Sequence, residues 1–218
     1  MTRPKYSVRA VRFAAALMTL AAGAPTAMAE GPAKSDTSDR LTCTGPFGRD
    51  ASHASIAEIV GKENVIFTKV DGAEGEKVPA TVLFPKNTQR RIELIWADEK
   101  KRKGLANLSL SPGSVWIAPN GVKIGMSLAE VEKLNGRPFT LSGFDWDYGG
   151  YVTDWKGGAL DAAIPGGCRV QVRFTVPEGA PEAAASKVSG DQEIPSSDKN
   201  MRAVKPIVGS LGFGFPQP

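Results

Sequence analysis

The side chains best suited to bind a partner are concentrated in residues 143–151, where acids, aromatics and glycines stand together. The candidate partner-binding residues in and just after this stretch are Asp145, Trp146, Asp147, Tyr148, Tyr151 and Trp155. Tyrosine and tryptophan often dominate interface energetics, because each buries a large ring and keeps a polar group at its tip. We expect these six residues to form a recognition surface. The alternative is a hairpin whose aromatics pack on the sheet.

Calcium binding is the first alternative for the acidic positions. Asp145, Asp147 and Gly149 match the first half of a calcium-binding loop, but the twelfth position, where a bidentate acid should stand, is Lys156. Zinc sites are built from clusters of histidine and cysteine, and the chain has one histidine and two cysteines. We therefore expect neither a metal nor a cofactor.

The chain offers little for nucleophilic catalysis. His53 is the only histidine, and its place among small polar residues just before the first helix indicates a surface or capping role, so a Ser-His-Asp or Cys-His arrangement has little to build on. We expect no catalytic residue. A carboxylate-dependent hydrolase remains an alternative, because several acids fall in one region and only their separation would decide. These acids are Asp145, Asp147, Asp154 and Asp161.

The N-terminus has the three parts of a secretory signal peptide. Basic residues precede an apolar run from Phe13 to Ala22, and Ala27-Met28-Ala29 forms a cleavage site, which predicts a signal peptide over 1–29. No cysteine stands directly after the cleavage site and no later run could span a membrane, so we expect neither a lipid anchor nor a membrane span. A periplasmic or secreted location follows.

Charge and cysteines agree with that location. Residues 1–29 hold four basic and no acidic residues, so the remainder carries 23 of each sign, and we expect no nucleic-acid partner. In an oxidising compartment two cysteines normally pair. Neither Cys43 nor Cys168 lies in a C-x-x-C motif, so we expect a structural disulfide and not a redox site.

Two capped helices organise the rest of the chain. Ser127 and Glu130 form a capping box before an apolar face that ends at Gly136, and Ser55 with Glu58 offers a shorter version of the same pattern. Each is combined with segments of strand-like alternation. We therefore predict an α+β fold of two tandem units, each a short helix packed on an antiparallel sheet.

The predicted organisation follows from these elements. The signal peptide, 1–29, precedes a disordered leader over 30–40; the helix-sheet units cover 41–112 and 113–177. Residues 178–218 are predicted to be a linker and a C-terminal extension, in which Ile207 to Phe215 adds a late edge strand.

The second unit carries a motif of moderate specificity: Ile124-Gly125-Met126-Ser127, then Glu130-Val131, then Gly136-Arg137-Pro138. It resembles the outer-membrane assembly lipoprotein family (SmpA/OmlA) and the β-lactamase inhibitor protein family. The resemblance implies a small secreted α+β domain that binds other proteins without catalysis, and the inhibitor family holds two such units in tandem. The chain departs from the lipoproteins in lacking their anchoring cysteine.

Together these observations predict a secreted, periplasmic, non-enzymatic protein-binding module, either an inhibitor or an envelope-assembly accessory protein. Its partner would be an envelope or secreted protein. The alternative is a glycan or cell-wall binding protein that uses Trp146, Tyr148, Tyr151 and Trp155. A broad concave surface would favour the protein partner, and a narrow aromatic groove the glycan.

Overall fold

The structure, a computed structural model, describes residues 39–72 and 75–216. The predicted signal peptide and nearly all of the predicted leader lie outside these residues. The helices are α1 (His53–Val60), α2 (Leu128–Asn135), α3 (Glu182–Ala185) and α4 (Lys199–Val204). The strands are β1 (Val65–Asp71), β2 (Lys77–Leu83), β3 (Ile92–Asp98), β4 (Lys103–Leu110), β5 (Thr140–Ser142), β6 (Val152–Asp154), β7 (Arg169–Thr175), β8 (Glu193–Pro195) and β9 (Ile207–Gly214).

The strands form two antiparallel sheets, and the predicted α+β class is confirmed. The larger sheet has the order β1-β2-β3-β4-β9-β7, and the smaller has the order β6-β5-β8. Alternation decides which side is buried: Ile92, Leu94 and Trp96 of β3 all face the core, as the sequence pattern predicts. Within the described residues, no helix is long and apolar enough to cross a membrane.

A repeat of two like units is not clearly visible in this topology. Strands β1 to β4 follow one another as neighbours, but after α2 the chain builds β5 and β6 into the smaller sheet. Only β7 of the second predicted unit joins the larger sheet, and it does so through β9.

Strand β9 is not the edge strand that the sequence predicts, because it lies between β4 and β7. Ser109, Gly212 and Gln171 form one row across these three strands. A β-carbon at Gly212 would collide with the backbone carbonyl oxygen of Leu108. The glycine therefore allows the backbones of β9 and β4 to approach each other closely inside the sheet.

The first part of the predicted linker and extension, residues 178–200, is also corrected, because it contains α3, β8 and the start of α4. Strand β8 pairs with β5, and without it the smaller sheet would have two strands. The buried side chains of Val188 and Ile194 stand alone among polar and small residues. Such isolated apolar positions give no periodicity from which an element could be predicted.

The two helix starts differ in how well the sequence predicts them. The capping box of α2 is confirmed, with Ser127 accepting a hydrogen bond from the backbone N–H of Glu130. At α1 the predicted cap is wrong by three residues: Ser52 is the N-cap and Ser55 the third helical residue. The hydroxyl of Ser55 accepts from the backbone N–H of Ser52, so a serine fills the role assigned to a glutamate.

The disulfide between Cys43 and Cys168 is confirmed, with the two Cα atoms 5.8 Å apart. It joins the segment before α1 to the residue that precedes β7. The N-terminal part of the described chain is thereby tied to the strand that supports the candidate site.

A chain of two hydrogen-bond contacts fixes α1 to the sheet. Trp96 Nε1 donates to Thr81 Oγ1 over 2.8 Å, and Thr81 Oγ1 lies 2.9 Å from His53 Nδ1. An indole N–H only donates, so the threonine hydroxyl accepts from Trp96 and can donate to an unprotonated Nδ1. Burial, and the nearby charge of Arg102, lower the pKa of His53. Both favour the neutral imidazole.

The stability of the fold should consequently decrease as the pH falls below about 6.5. The pKa of His53 is lower in the folded chain than its ordinary value of 6.5, so between the two values the unfolded chain binds more protons. Urea unfolding from pH 7.5 to 5 would measure this. Since His53 is the only histidine, His53→Gln should remove most of this pH dependence, and an unchanged slope would contradict the assignment.

Candidate functional site

The candidate site is built on the connection between β5 and β6, residues 143–151, which we call the aromatic-acidic loop. Its first half is anchored in the core by Phe144, whose side chain is only 5% exposed. The backbone N–H of Phe144 donates to Val188 over 2.7 Å, and its carbonyl accepts from Gly190 over 2.8 Å. These bonds fix the start of the loop to the segment between α3 and β8.

The second half of the loop is attached to the edge of β7. The backbone N–H of Phe174 donates to the carbonyl of Gly150 over 2.8 Å, and Gly150 has a φ of +79°. A β-carbon at Gly150 would collide with the carbonyl oxygen of Phe174, so only glycine fits at this contact.

Arg173 supports the loop from the side of the sheet. Its Nε donates to the carbonyl of Gly149 over 2.7 Å, and its guanidinium lies 5.1 Å from the ring centre of Tyr151. Tyr151 is therefore only partly available to a partner, because its ring contacts Arg173 and its side chain is half-buried. The base of the loop is thus fixed by backbone and side-chain contacts together.

The middle of the loop presents its side chains to solvent. Tyr148 is 62% exposed, and Asp145 and Asp147 are exposed as well. Trp146 is half-buried, and its Nε1 donates to the carbonyl of Gly143 over 2.9 Å. The rings of Trp146 and Tyr148 meet edge to face with centres 5.6 Å apart. The two residues thus form an aromatic pair in which Trp146 is held by a hydrogen bond and Tyr148 is exposed.

Two grooves meet at this pair. The polar groove, of about 880 Å³, is lined by Asp71, Ser109, Trp146, Asp147, Tyr148, Tyr151, Gln171 and Arg173. The apolar groove, of about 870 Å³, is lined mainly by Ile124, Phe144, Trp146, Phe174, Val176 and Ile207, with Asp145 and Arg173. Trp146 and Arg173 belong to both, so the grooves adjoin there. Trp146 therefore stands between two adjoining grooves.

Trp155 is the predicted site residue that the structure separates from the others. Its ring packs on Phe139, with the ring centres 5.0 Å apart, and its carbonyl accepts a hydrogen bond from Asn135. It lines a third groove of about 540 Å³, together with Asp154 and Asp161. The other five predicted residues all lie in or directly beside the aromatic-acidic loop.

The third groove holds two of the four carboxylates named for the hydrolase alternative, Asp154 and Asp161. Asp154 forms an ion pair with Lys156 at 2.7 Å, and hydrogen bonds from Lys156 lower the pKa of Asp154. A general acid at neutral pH needs a raised pKa. Asp154 is therefore poorly suited to donate a proton. In residues 39–72 and 75–216, no group of three or more metal-binding side chains occurs.

Sequence reasoning missed Ser109 and Gln171, which line the polar groove from β4 and β7. Alternation in β7 does indicate that Gln171 and Arg173 face away from buried Val172 and Phe174. Nothing local indicates that Ser109 lies in the same row. Ser109 and Gln171 lie in one row because β9 pairs with both β4 and β7.

Comparison with protein-family models, with curated proteins and with solved structures found no match to the chain. The candidate site must therefore be interpreted from its own geometry. The resemblance to the two secreted families, based on the motif at 124–138, stays a prediction.

Proposed function

We propose that the protein is a secreted, non-enzymatic protein-binding module whose contact surface is the middle of the aromatic-acidic loop with the two adjoining grooves. The observation that carries the proposal is the exposure of Tyr148, 62%, beside a tryptophan whose indole is held by Gly143. Exposing a large ring to water has a cost that burial against a partner would remove.

The form of the surface supports a protein partner. Interface hot spots are clustered aromatic residues next to pockets that take a side chain of the partner. Here Trp146 forms a wall of both the polar and the apolar groove, so a partner could place side chains on either side of it. The fixed base of the loop lowers the entropic cost of binding, because little of the backbone must be ordered.

The compartment is part of the proposal. The Cys43–Cys168 disulfide is compatible with secretion, and the signal-like pattern of residues 1–29 indicates the periplasm or the medium. The partner would then be an envelope or secreted protein, and the role that of an inhibitor or an assembly accessory, as the family resemblance suggests.

Glycan binding is a second candidate, favoured by the mixed lining of the polar groove. Ser109 and Gln171 could hydrogen-bond to sugar hydroxyls while Trp146 or Tyr148 packs on a ring face. Trp155 does not contribute, because it lines the third groove. This candidate is the weaker one, because it loses one of the four aromatic residues predicted for it.

The test uses two variants that remove equally exposed side chains. Tyr148→Ala changes the proposed surface, and Ile59→Ala removes a side chain that is 61% exposed on α1. Immobilised protein would be used to capture envelope and secreted proteins, and each captured protein would then be purified and its affinity measured. Tyr148→Ala should weaken binding by about 2 kcal/mol or more, and Ile59→Ala should leave it unchanged.

Two results would overturn the proposal. One is a partner whose affinity depends equally on Tyr148 and Ile59, because the effect would then not be specific to the loop. The other is a panel of cell-wall oligosaccharides that binds in a Tyr148-dependent way where no protein does. That second result would establish the glycan candidate.

A further inference from the structure

The exposed aromatic pair lacks a contact that four other rings of the described residues have. Four arginines lie over aromatic rings in the described residues: Arg49 over Phe215, Arg90 over Trp116, Arg102 over Phe67 and Arg173 over Tyr151. Their guanidinium carbons are 4.0 to 5.2 Å from the ring centres. Within residues 39–72 and 75–216, neither Trp146 nor Tyr148 has such a cation.

The charges beside this pair are complementary to a cation. Asp147 lines the polar groove with Trp146 and Tyr148, is exposed, and has no ion-pair partner among the described residues. Asp71, on the far side of the groove, is already paired with Lys77. Arg173 is the cation of this groove, but its contacts with Gly149 and Tyr151 hold it at the base of the loop.

We propose that the polar groove takes a basic side chain, an arginine, from the partner protein. The guanidinium would lie on the exposed face of Tyr148, against Trp146, and would form a charge-assisted pair with the Asp147 carboxylate. This inference rests on the proposed function and names the chemistry that the partner must bring. Arginine suits the site better than lysine, because its planar group stacks on a ring and is more weakly hydrated.

The position of the acid makes the proposal specific. Asp145 carries the same charge, is also exposed, and lies two residues away, but it lines the apolar groove and not the polar one. It has a φ of +62°, a conformation that asparagine also adopts readily. Asp145→Asn therefore removes an equal charge from the same loop and leaves the lining of the polar groove, where the arginine would bind, unchanged.

The probe is a short capped peptide with a single arginine, compared with the same peptide in which citrulline, a neutral group of nearly the same shape, replaces arginine. Binding to the full-length protein would be followed through the NMR signal of the Trp146 indole N–H, identified with Trp146→Phe. We expect a saturable shift with the arginine peptide and none with the citrulline peptide. Asp147→Asn should weaken binding about tenfold, and Asp145→Asn by less than about threefold.

The inference is overturned if the citrulline peptide shifts the signal as much as the arginine peptide does, or if Asp145→Asn and Asp147→Asn have equal effects. The same variants separate this inference from the proposed function. A captured partner that needs Tyr148 but is indifferent to Asp147→Asn would leave the function standing and remove the arginine. If no captured partner depends on Tyr148, the proposed function fails, whatever the peptide does.

Discussion

Replacing both Cys43 and Cys168 by serine is expected to lower the free energy of unfolding by about 4–5 kcal/mol. The bond closes a loop with a sequence separation of 125, and the chain-entropy model gives longer loops the larger stabilisation. Domains of this size are stable by about 5–15 kcal/mol in total. Loss of the bond would therefore remove a large share of the stability.

Urea denaturation of the oxidised protein and of the double serine variant would measure the difference. The control is the unmodified protein with a reductant, which should unfold at nearly the same urea concentration as the variant. A difference below about 1 kcal/mol would show that folded-state contacts around the bond relax when it is absent, against the entropic account.

The functional consequence of the disulfide follows from its position. Cys168 directly precedes β7, and β7 carries both Arg173 and the backbone bond from Phe174 to Gly150. The covalent link therefore holds the strand on which the aromatic-acidic loop is supported. We expect the double serine variant, where it is folded, to bind a partner more weakly because the base of the loop is less well ordered.

Much of the fold could be predicted where the signal is local. The capping box of α2, the hairpin of β1 and β2 and the buried face of β3 follow from short spacings in the sequence. The disulfide could be predicted from compartment and count alone. Each of these depends on neighbouring residues or on a single pairing choice, so no knowledge of the tertiary arrangement is needed.

What could not be predicted depends on contacts between distant segments. Strand β9 is glycine-rich, and glycine weakens any local strand signal, yet here it lets β4 and β7 share a partner. The same event brings Ser109 and Gln171 to the polar groove. Similarly, Ser52 and Ser55 could each cap α1 by residue type, and in the structure the helix begins after Ser52.

The loop illustrates both situations. Its composition predicts a recognition surface of acids and aromatics, and Tyr148 at its centre is exposed. Composition does not indicate that Phe144 is the buried anchor while Trp155, with the same aromatic character, packs on Phe139. Which ring is buried depends on where the smaller sheet meets the larger one.

This division of roles gives the last prediction: Phe144→Ala should lower the free energy of unfolding by about 3–5 kcal/mol, and Tyr148→Ala by no more than about 0.5 kcal/mol. Phe144 is 5% exposed and belongs to the main core, so truncation removes buried area and leaves a cavity. Tyr148 is 62% exposed, so its ring contributes little to the folded state.

Partner affinity should show the reverse order when each variant is measured per folded molecule. Tyr148→Ala removes the proposed contact itself, whereas Phe144→Ala acts only by loosening the start of the loop. A third variant, Phe144→Leu, should keep most of the stability that Phe144→Ala loses, because leucine refills most of the space. Urea denaturation and affinity measurement on the same three variants separate the two roles. If Tyr148→Ala lowers stability as much as Phe144→Ala does and leaves affinity unchanged, Tyr148 is a structural residue, and the contact surface must be placed on the sheet around Gln171 and Arg173.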